Sequence, residues 1–471
     1  MDSVLKLVYD NWVPGTRIPL PNGVSPEITK YLTEQLLSNH QSSVGDVQEE
    51  IRRNTVGNPF QYDHSNFLGY FMKRFQKTDV VKVEDVSDDG IYILPLEIRS
   101  STDEVCNKNK IVFKGKTIEY SLFDTFSPAL ISLLQKGKVK VLFNLAHDPL
   151  DEMDQLWDIE KYFEQNGVAG ENIVFVPGND CSKEYLHEYP SAKLKVSPSR
   201  FLVSQQAALD VTSFPRPTSL GYISDIVRES DLNDTVLRPK RFVCFNRTMR
   251  PHRFMIAYLA LKHKLLDNSI FSFLNGFNYN EEHIERCLKS FTDANDLKDY
   301  ARKIHRMIPY ELDTQHLPIS QKSGFSTENT KKEWYTSTYI HLISETRFQR
   351  GDTPFISEKT WRPIANLQPF IMIGNYHSLR VLHDLGFKTF HPFIDESYDE
   401  ETDSHIRMEK IEKEIEKLNN MPIQELHNLY YQMKDILIYN QIHLNTLAHI
   451  HPYEETYINI INFYKKDTNG I

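Results

Sequence analysis

The chain has 471 residues, of which 40% are hydrophobic, 12% aromatic and 25% charged; this suits two or three packed domains and excludes a disordered or fibrous chain. Its 54 Lys and Arg against 64 Asp and Glu leave a net charge of −10, which disfavours sequence-independent grip on nucleic acid but permits a local basic cleft. No apolar run reaches the ~18–20 residues of a bilayer span, and the first residues lack the charged and apolar regions of a signal peptide.

Residues 1–77 mix a helical pattern (Ile28, Leu32, Leu36, Leu37) with turn residues and read as an N-terminal helical extension. Strands are predicted at 91–98, 111–113 and 138–145, the last a short apolar run of buried-strand type. It leads into Ala146-His147-Asp148-Pro149 and an acidic amphipathic helix from about Asp151. A further strand at 172–176 stops at Pro177-Gly178-Asn179-Asp180. Strand, helix and strand in that order predict a parallel sheet.

Residues 212–240 carry Pro215, Pro217 and Pro239 and read as an interdomain crossing. A second α/β pattern then starts. A strand at 241–245 is followed by a loop at 246–251, whose Pro251 suits the first turn of a helix over 252–263. That helix has Phe254, Ala257, Tyr258 and Leu261 on one face. A strand at 270–274, helix over much of 280–308, and strands at 339–343 and 370–373 follow. A helix over 377–385 is closed by Gly386. The tail reads as helices over 406–418, with Ile411, Ile415 and Leu418 as the buried stripe, and over 424–447. The expected domains are 1–77 (helical extension), 78–235 (acceptor domain), 236–400 (nucleotide-sugar domain) and 401–471 (helical tail).

Cys106, Cys181, Cys244 and Cys287 form no CxxC pair, so no zinc site or disulfide framework is expected. Reduced thiols point to a cytoplasmic setting, a host cytoplasm if the chain is viral. His443, His449 and His451 lack the spacing of metal ligands, and Trp361 reads as core. No metal site is predicted.

Two stretches carry chemistry. In Pro354-Phe355-Ile356-Ser357-Glu358-Lys359, Ser357 suits a helix N-cap. Helix N-termini favour anions, so Lys359 in the first turn needs a reason, and a bound phosphate supplies one. Glu358 suits a pair of ribose hydroxyls; the alternative is a helix start with a solvated Glu/Lys pair. The second stretch, Phe245-Asn246-Arg247-Thr248-Met249-Arg250-Pro251-His252-Arg253, clusters four basic-capable groups where a strand turns into a helix. Ligands of open α/β sheets bind at such strand ends, and arginines suit diphosphates. The alternative is a set of surface arginines paired with acids.

Together these residues resemble the donor-binding domain of the α-1,3-fucosyltransferase-like glycosyltransferases, over about 241–374. The resemblance rests on Arg253 at a helix start, on Ser344-Glu345-Thr346 where the family has Glu-Asn-Ser, and on Phe355-Ile356-Ser357-Glu358-Lys359 where it has aromatic-x-Thr-Glu-Lys. It implies an α/β GT-B-like fold, with two Rossmann-like domains whose parallel sheets face a cleft, flanked here by helical extensions. It further implies a donor such as a GDP- or UDP-sugar and a carbohydrate or glycoconjugate acceptor. Arg253 and Lys359 would hold the diphosphate, with Arg247 and Arg250 beside them. Glu358 would contact the ribose, Phe355 would lie near the nucleotide, and Glu345 would face the sugar or nucleotide.

No Asp-x-Asp triplet, P-loop, GxGxxG or GxSxG occurs. A metal-independent transferase must neutralise the leaving diphosphate with protein cations. Inversion at the sugar carbon requires a base for the acceptor hydroxyl. The resemblance puts that base in the N-terminal domain, where Asp148 and His147 are the candidates and Asp180 and Asp124 the rivals. Two other readings remain: a viral-type glycosyltransferase of modified DNA bases, and a non-catalytic sugar-nucleotide-binding scaffold.

Overall fold

The structure, a computed structural model, describes residues 5–9, 79–87, 90–97, 109–113, 116–145, 154–177, 226–246, 249–273, 279–310, 331–348, 354 and 356–449. The chain divides into two compact units, residues 1–207 with 452–471 and residues 208–451. The fold class is α/β, with a parallel sheet in each unit, as the resemblance implies.

The first unit holds β1 (Leu5–Tyr9), β2 (Asp79–Lys82), β3 (Ile91–Glu97), β4 (Asn109–Phe113), β5 (Lys116–Tyr120), α1 (Pro128–Gln135), β6 (Val139–Leu145), α2 (Asp154–Gln165) and β7 (Ile173–Pro177). Its five-stranded sheet runs in the order β2-β1-β3-β6-β7, with every pairing parallel, and β4 and β5 form an antiparallel pair. The start of the chain departs from the helical-extension reading of 1–77 at Leu5–Tyr9, which is an inner strand of this sheet; Ile28, Leu32, Leu36 and Leu37 lie outside the described residues. Leu-Lys-Leu-Val-Tyr is short and rich in strand-favouring side chains, and Val8 is fully buried. The core gathers Phe123, Phe126, Phe143 and Phe163 in edge-to-face contacts around Ile159 and Ile173.

The second unit holds β8 (Phe242–Asn246), α3 (Pro251–Lys262), β9 (Ile270–Phe273), α4 (Glu281–Lys289), α5 (Leu297–Met307), α6 (Lys332–Thr336), β10 (Ile340–Ser344), α7 (Glu358–Ala365), β11 (Phe370–Ile373), α8 (Ser378–Asp384), α9 (Ser404–Asn420), α10 (Ile423–Gln432) and α11 (Lys434–His449). The sheet order is β11-β10-β8-β9, all parallel. From β8 the chain moves through α3 to β9 on one side, and from β10 through α7 to β11 on the other. Right-handed crossovers in opposite directions put α3 and α7 on opposite faces of the sheet. The chain thus reverses direction between β8 and β10, and ligands of open α/β sheets bind at the strand carboxyl ends beside such a point.

Residues 252–260 of α3 are all buried, because α4 and α5 pack against this helix as well. The tail helices α9, α10 and α11 also belong to this unit's core, through Met408, Ile411, Ile415, Leu418, Tyr430 and Leu444. The single helix expected over 424–447 is two, divided at Met433, which closes α10 in an ordinary helical conformation. α8 ends as expected at Gly386, whose φ of +86° satisfies the helix end. A Cβ there would lie 2.8 Å from His443 Nε2.

Candidate functional site

The two central strands end level with each other. Ile340 pairs with Phe242, so Asn246 at the end of β8 is level with Ser344 at the end of β10. Successive strand residues point to opposite faces, and residues 344 and 345 show it. Ser344 meets α3, and Glu345 meets the start of α7.

On the α3 face, cations hold the backbone. Arg253 is 4% exposed; its Nε donates to Ser344 Oγ (3.1 Å) and its Nη2 to the carbonyls of Ser344 and Glu345 (3.2 Å each). Arg250, the N-cap of α3, donates to the Thr346 carbonyl. His252 Nε2 donates to the Glu345 carbonyl at 2.9 Å, with its ring stacked on Phe348. Burial, and then the charges of Arg253, Arg250 and Lys359, hold the His252 pKa well below its ordinary value. His252 is therefore neutral, and all three cations lie within electrostatic reach of its ring.

On the α7 face, one acid organises the helix start. Glu345 is fully buried. Its Oε1 accepts from Ser357 N (3.1 Å) and Thr360 Oγ1 (2.6 Å), and its Oε2 from Ser357 Oγ (2.6 Å) and Thr346 N (3.1 Å). Ser357 is the N-cap of α7, as expected, and accepts from Lys359 N at 3.4 Å. Lys359 Nζ reaches back to Ser357 Oγ (3.0 Å) and Thr346 Oγ1 (3.4 Å). The N-termini of α3 and α7, with Arg250, Arg253 and Lys359, thus converge on residues 344–346 from both faces. Donors and cations in that arrangement suit an anion.

Two expectations change. Glu345 was expected to face sugar or nucleotide, but four protein donors occupy its side chain, and its role is to hold the turn into α7. Arg253 spends its Nε and Nη2 on the strand end, so it builds the site as well as charging it. Arg250, Ser357 and Lys359 are brought together here. Arg247, Phe355 and the side chain of Glu358 lie outside the described residues, as do His147, Asp148 and Asp180. Asp124 accepts from Ser121 N (2.7 Å) and Ser121 Oγ (2.9 Å), an N-terminal turn interaction. Trp361 is fully buried, as expected of core.

Sequence reasoning missed Thr346, Thr360 and Asn246. Thr360 stands three residues after the cap, a spacing that brings a side chain back to a helix start. Among the described residues no group of His, Cys, Asp and Glu has the makings of a metal site, and no helix is long and apolar enough to cross a membrane.

No protein-family model matches the chain, and no curated protein matches it. Solved structures that match include a chain described as trehalose-6-phosphate from E. coli bound with UDP-2-fluoro glucose. It is 12% identical, with 78% of this chain and 92% of that chain covered and a TM-score of 0.30. A second, the trehalose-6-phosphate synthase OtsA, is 10% identical over 98% of this chain and 99% of that one, with a TM-score of 0.31. Likeness at this level carries no argument about this chain.

Proposed function

We propose that the second unit binds a nucleoside-diphosphate sugar and that the chain is a glycosyltransferase, moving the sugar to a hydroxyl of a carbohydrate or glycoconjugate acceptor. The carrying observation is the convergence on residues 344–346 of two helix N-termini and three cations, Arg250, Arg253 and Lys359, beside the point where the sheet reverses direction.

Cleavage of a sugar–diphosphate bond builds negative charge on the departing diphosphate. Fixed positive groups that need not reorganise stabilise that charge most. Here the surroundings fix them: Arg250 and Arg253 are tied to backbone carbonyls, and Lys359 to two hydroxyls. Arg250 and Lys359 are assigned to the diphosphate oxygens, with Arg247 beside them. Arg253 adds charge while fixing the strand end. Glu345 keeps the N–H groups of α7 in place through Ser357 and Thr360. Glu358 is assigned to the ribose hydroxyls and Phe355 to the nucleotide. Asp148, with His147, is assigned as the base that takes the acceptor proton during inversion. With the protein supplying the positive charge, no metal is needed.

The test is a thermal-shift and calorimetric screen of the full chain against GDP, UDP, ADP, CMP and dTDP, each in EDTA. A ligand that binds only the folded state must raise the Tm. The expected result is a raised Tm with a GDP- or UDP-type ligand in EDTA, and release of that nucleotide from its sugar conjugate when acceptor is supplied. Binding only after Mg²⁺ or Mn²⁺ is added would overturn the metal-free assignment. No shift with any nucleotide, with or without metal, would overturn the donor-site reading. Binding without turnover on any acceptor would favour a sensor or scaffold.

A further inference from the structure

Asn246 is the last residue of β8, at the point where the sheet reverses direction. It is 1% exposed, and its Oδ1 has no hydrogen-bond partner. Its Nδ2 donates to Cys244 Sγ at 3.2 Å, back along the strand, so the carbonyl end of the amide is directed elsewhere. Burial pushes the Cys244 thiol up to about 12, so the sulfur is a neutral partner for that N–H. Asn246 and Cys244 share the face of β8 that corresponds to Ser344, the face gripped by Arg253.

A buried amide oxygen without a donor loses its hydration with nothing in return, and such groups are rare in folded proteins. This one stands at the strand ends where the cations gather. The cations and donors described around it are Arg250, Arg253, Lys359 and the N–H groups that open α7, while the Glu345 carboxylate is taken up by four protein donors. An ionised phosphate matches those groups but has no proton to offer an amide oxygen. A ligand that satisfies both the cations and this oxygen is an anion that also carries a hydrogen-bond donor, and in a sugar diphosphate that donor is a hydroxyl.

We propose that Asn246 Oδ1 accepts a hydrogen bond from a sugar hydroxyl adjacent to the bound diphosphate, which makes Asn246 a specificity-determining residue that separates sugar diphosphates from bare phosphate anions. The proposal rests on the donor-site reading above and adds to it what the site recognises besides charge. The hydroxyl belongs either to the ribose or to the transferred sugar; both present the same O–H donor.

The experiment measures calorimetric affinities of the full chain for inorganic pyrophosphate, GDP, UDP, GDP-fucose and UDP-glucose. It compares wild type with Asn246→Leu, which keeps the shape and removes the acceptor, and with Asn246→Ala as a second variant. Pyrophosphate affinity doubles as the control for an intact site. The expected result is pyrophosphate binding within about twofold of wild type and sugar-diphosphate affinity about tenfold weaker, the worth of one neutral hydrogen bond. Weakening of both the nucleotide and its sugar conjugate assigns the ribose; weakening of the conjugate alone assigns the transferred sugar. Equal loss for pyrophosphate and nucleotides, or no change for any probe, overturns the inference and leaves the donor site standing. A wild-type chain that binds none of the five probes overturns the donor-site reading and this inference with it.

Discussion

Two acidic side chains in the second unit do the same mechanical job in different electrostatic settings. Glu345 holds the start of α7 through Ser357 and Thr360, and Asp399 holds the start of α8 by accepting from Leu379 N (3.0 Å) and Arg380 N (3.2 Å). Both are buried, and neither belongs to the helix it caps. Glu345 stands among cations, with Arg253 and Arg250 on the adjoining carbonyls and Lys359 on Ser357 Oγ. Asp399 has Glu400 and Glu396 near it as well as the buried Arg407, and burial together with the two carboxyl groups raises its pKa to about 7. A capped helix start is thus not in itself an anion site. The start of α7 is the one proposed to take an anion, because three fixed cations gather around the acid that builds it.

The comparison breaks most visibly if Glu345 proves dispensable. Glu345→Ala leaves the N–H groups of Ser357 and Thr346 and two hydroxyls without their acceptor. We expect a loss of about 3–5 kcal/mol in chemical denaturation, with nucleotide binding lost in parallel. A variant as stable as wild type would show that α7 does not need this contact.

Separating charge from construction sharpens the comparison at smaller cost. Lys359 is half-buried and contacts two hydroxyls, whereas Arg253 is buried and holds two carbonyls and Ser344 Oγ. Lys359→Ala should weaken nucleotide binding at least about tenfold with the Tm within a few degrees of wild type. Arg253→Ala should weaken binding similarly and also cost about 2 kcal/mol of stability, since it strands buried acceptors. Equal stability losses in the two variants would contradict the division of labour drawn here.

Much of this was legible in the sequence. The apolar runs of β6 and β11 and the Pro and Gly that bound α3 and α8 announce themselves by composition. β1 did not, because five residues precede a long stretch of helical pattern, and pairing with β2 and β3 overrides so short a local signal. The break at Met433 carries no Gly or Pro to mark it. At the site, residue types showed that Arg250, Arg253, Ser357 and Lys359 suit an anion. They did not show that Glu345 faces α7 instead of the ligand, because that follows from its place one residue past Ser344 in a strand with a helix on each face. The unsatisfied Asn246 was illegible for the same reason: strand order and partner atoms decide it, and neither is written locally.

The finest test of the comparison is a pH slope. Asp399 has its folded pKa raised from 3.8 to about 7. Below the lower value the acid is protonated in both states, and its contribution to stability is fully present. Between the two values the unfolded chain ionises while the folded chain keeps the proton, so stability falls as pH rises through that window and levels off above about pH 7. His252 and His341 act in the opposite sense: burial depresses both, His341 to about 3, so their contribution is lost as pH falls below the ordinary histidine value. The wild-type curve mixes these slopes, and its difference from Asp399→Asn isolates one of them. The variant keeps an amide oxygen for Leu379 N and has nothing to ionise, so its Tm should lose the decline between about pH 4 and pH 7 that Asp399 imposes. Parallel curves for the two proteins across that range would mean that Asp399 ionises in the fold as easily as in the open chain. The contrast with the cation-ringed start of α7 would then rest on Glu345 and its neighbours alone.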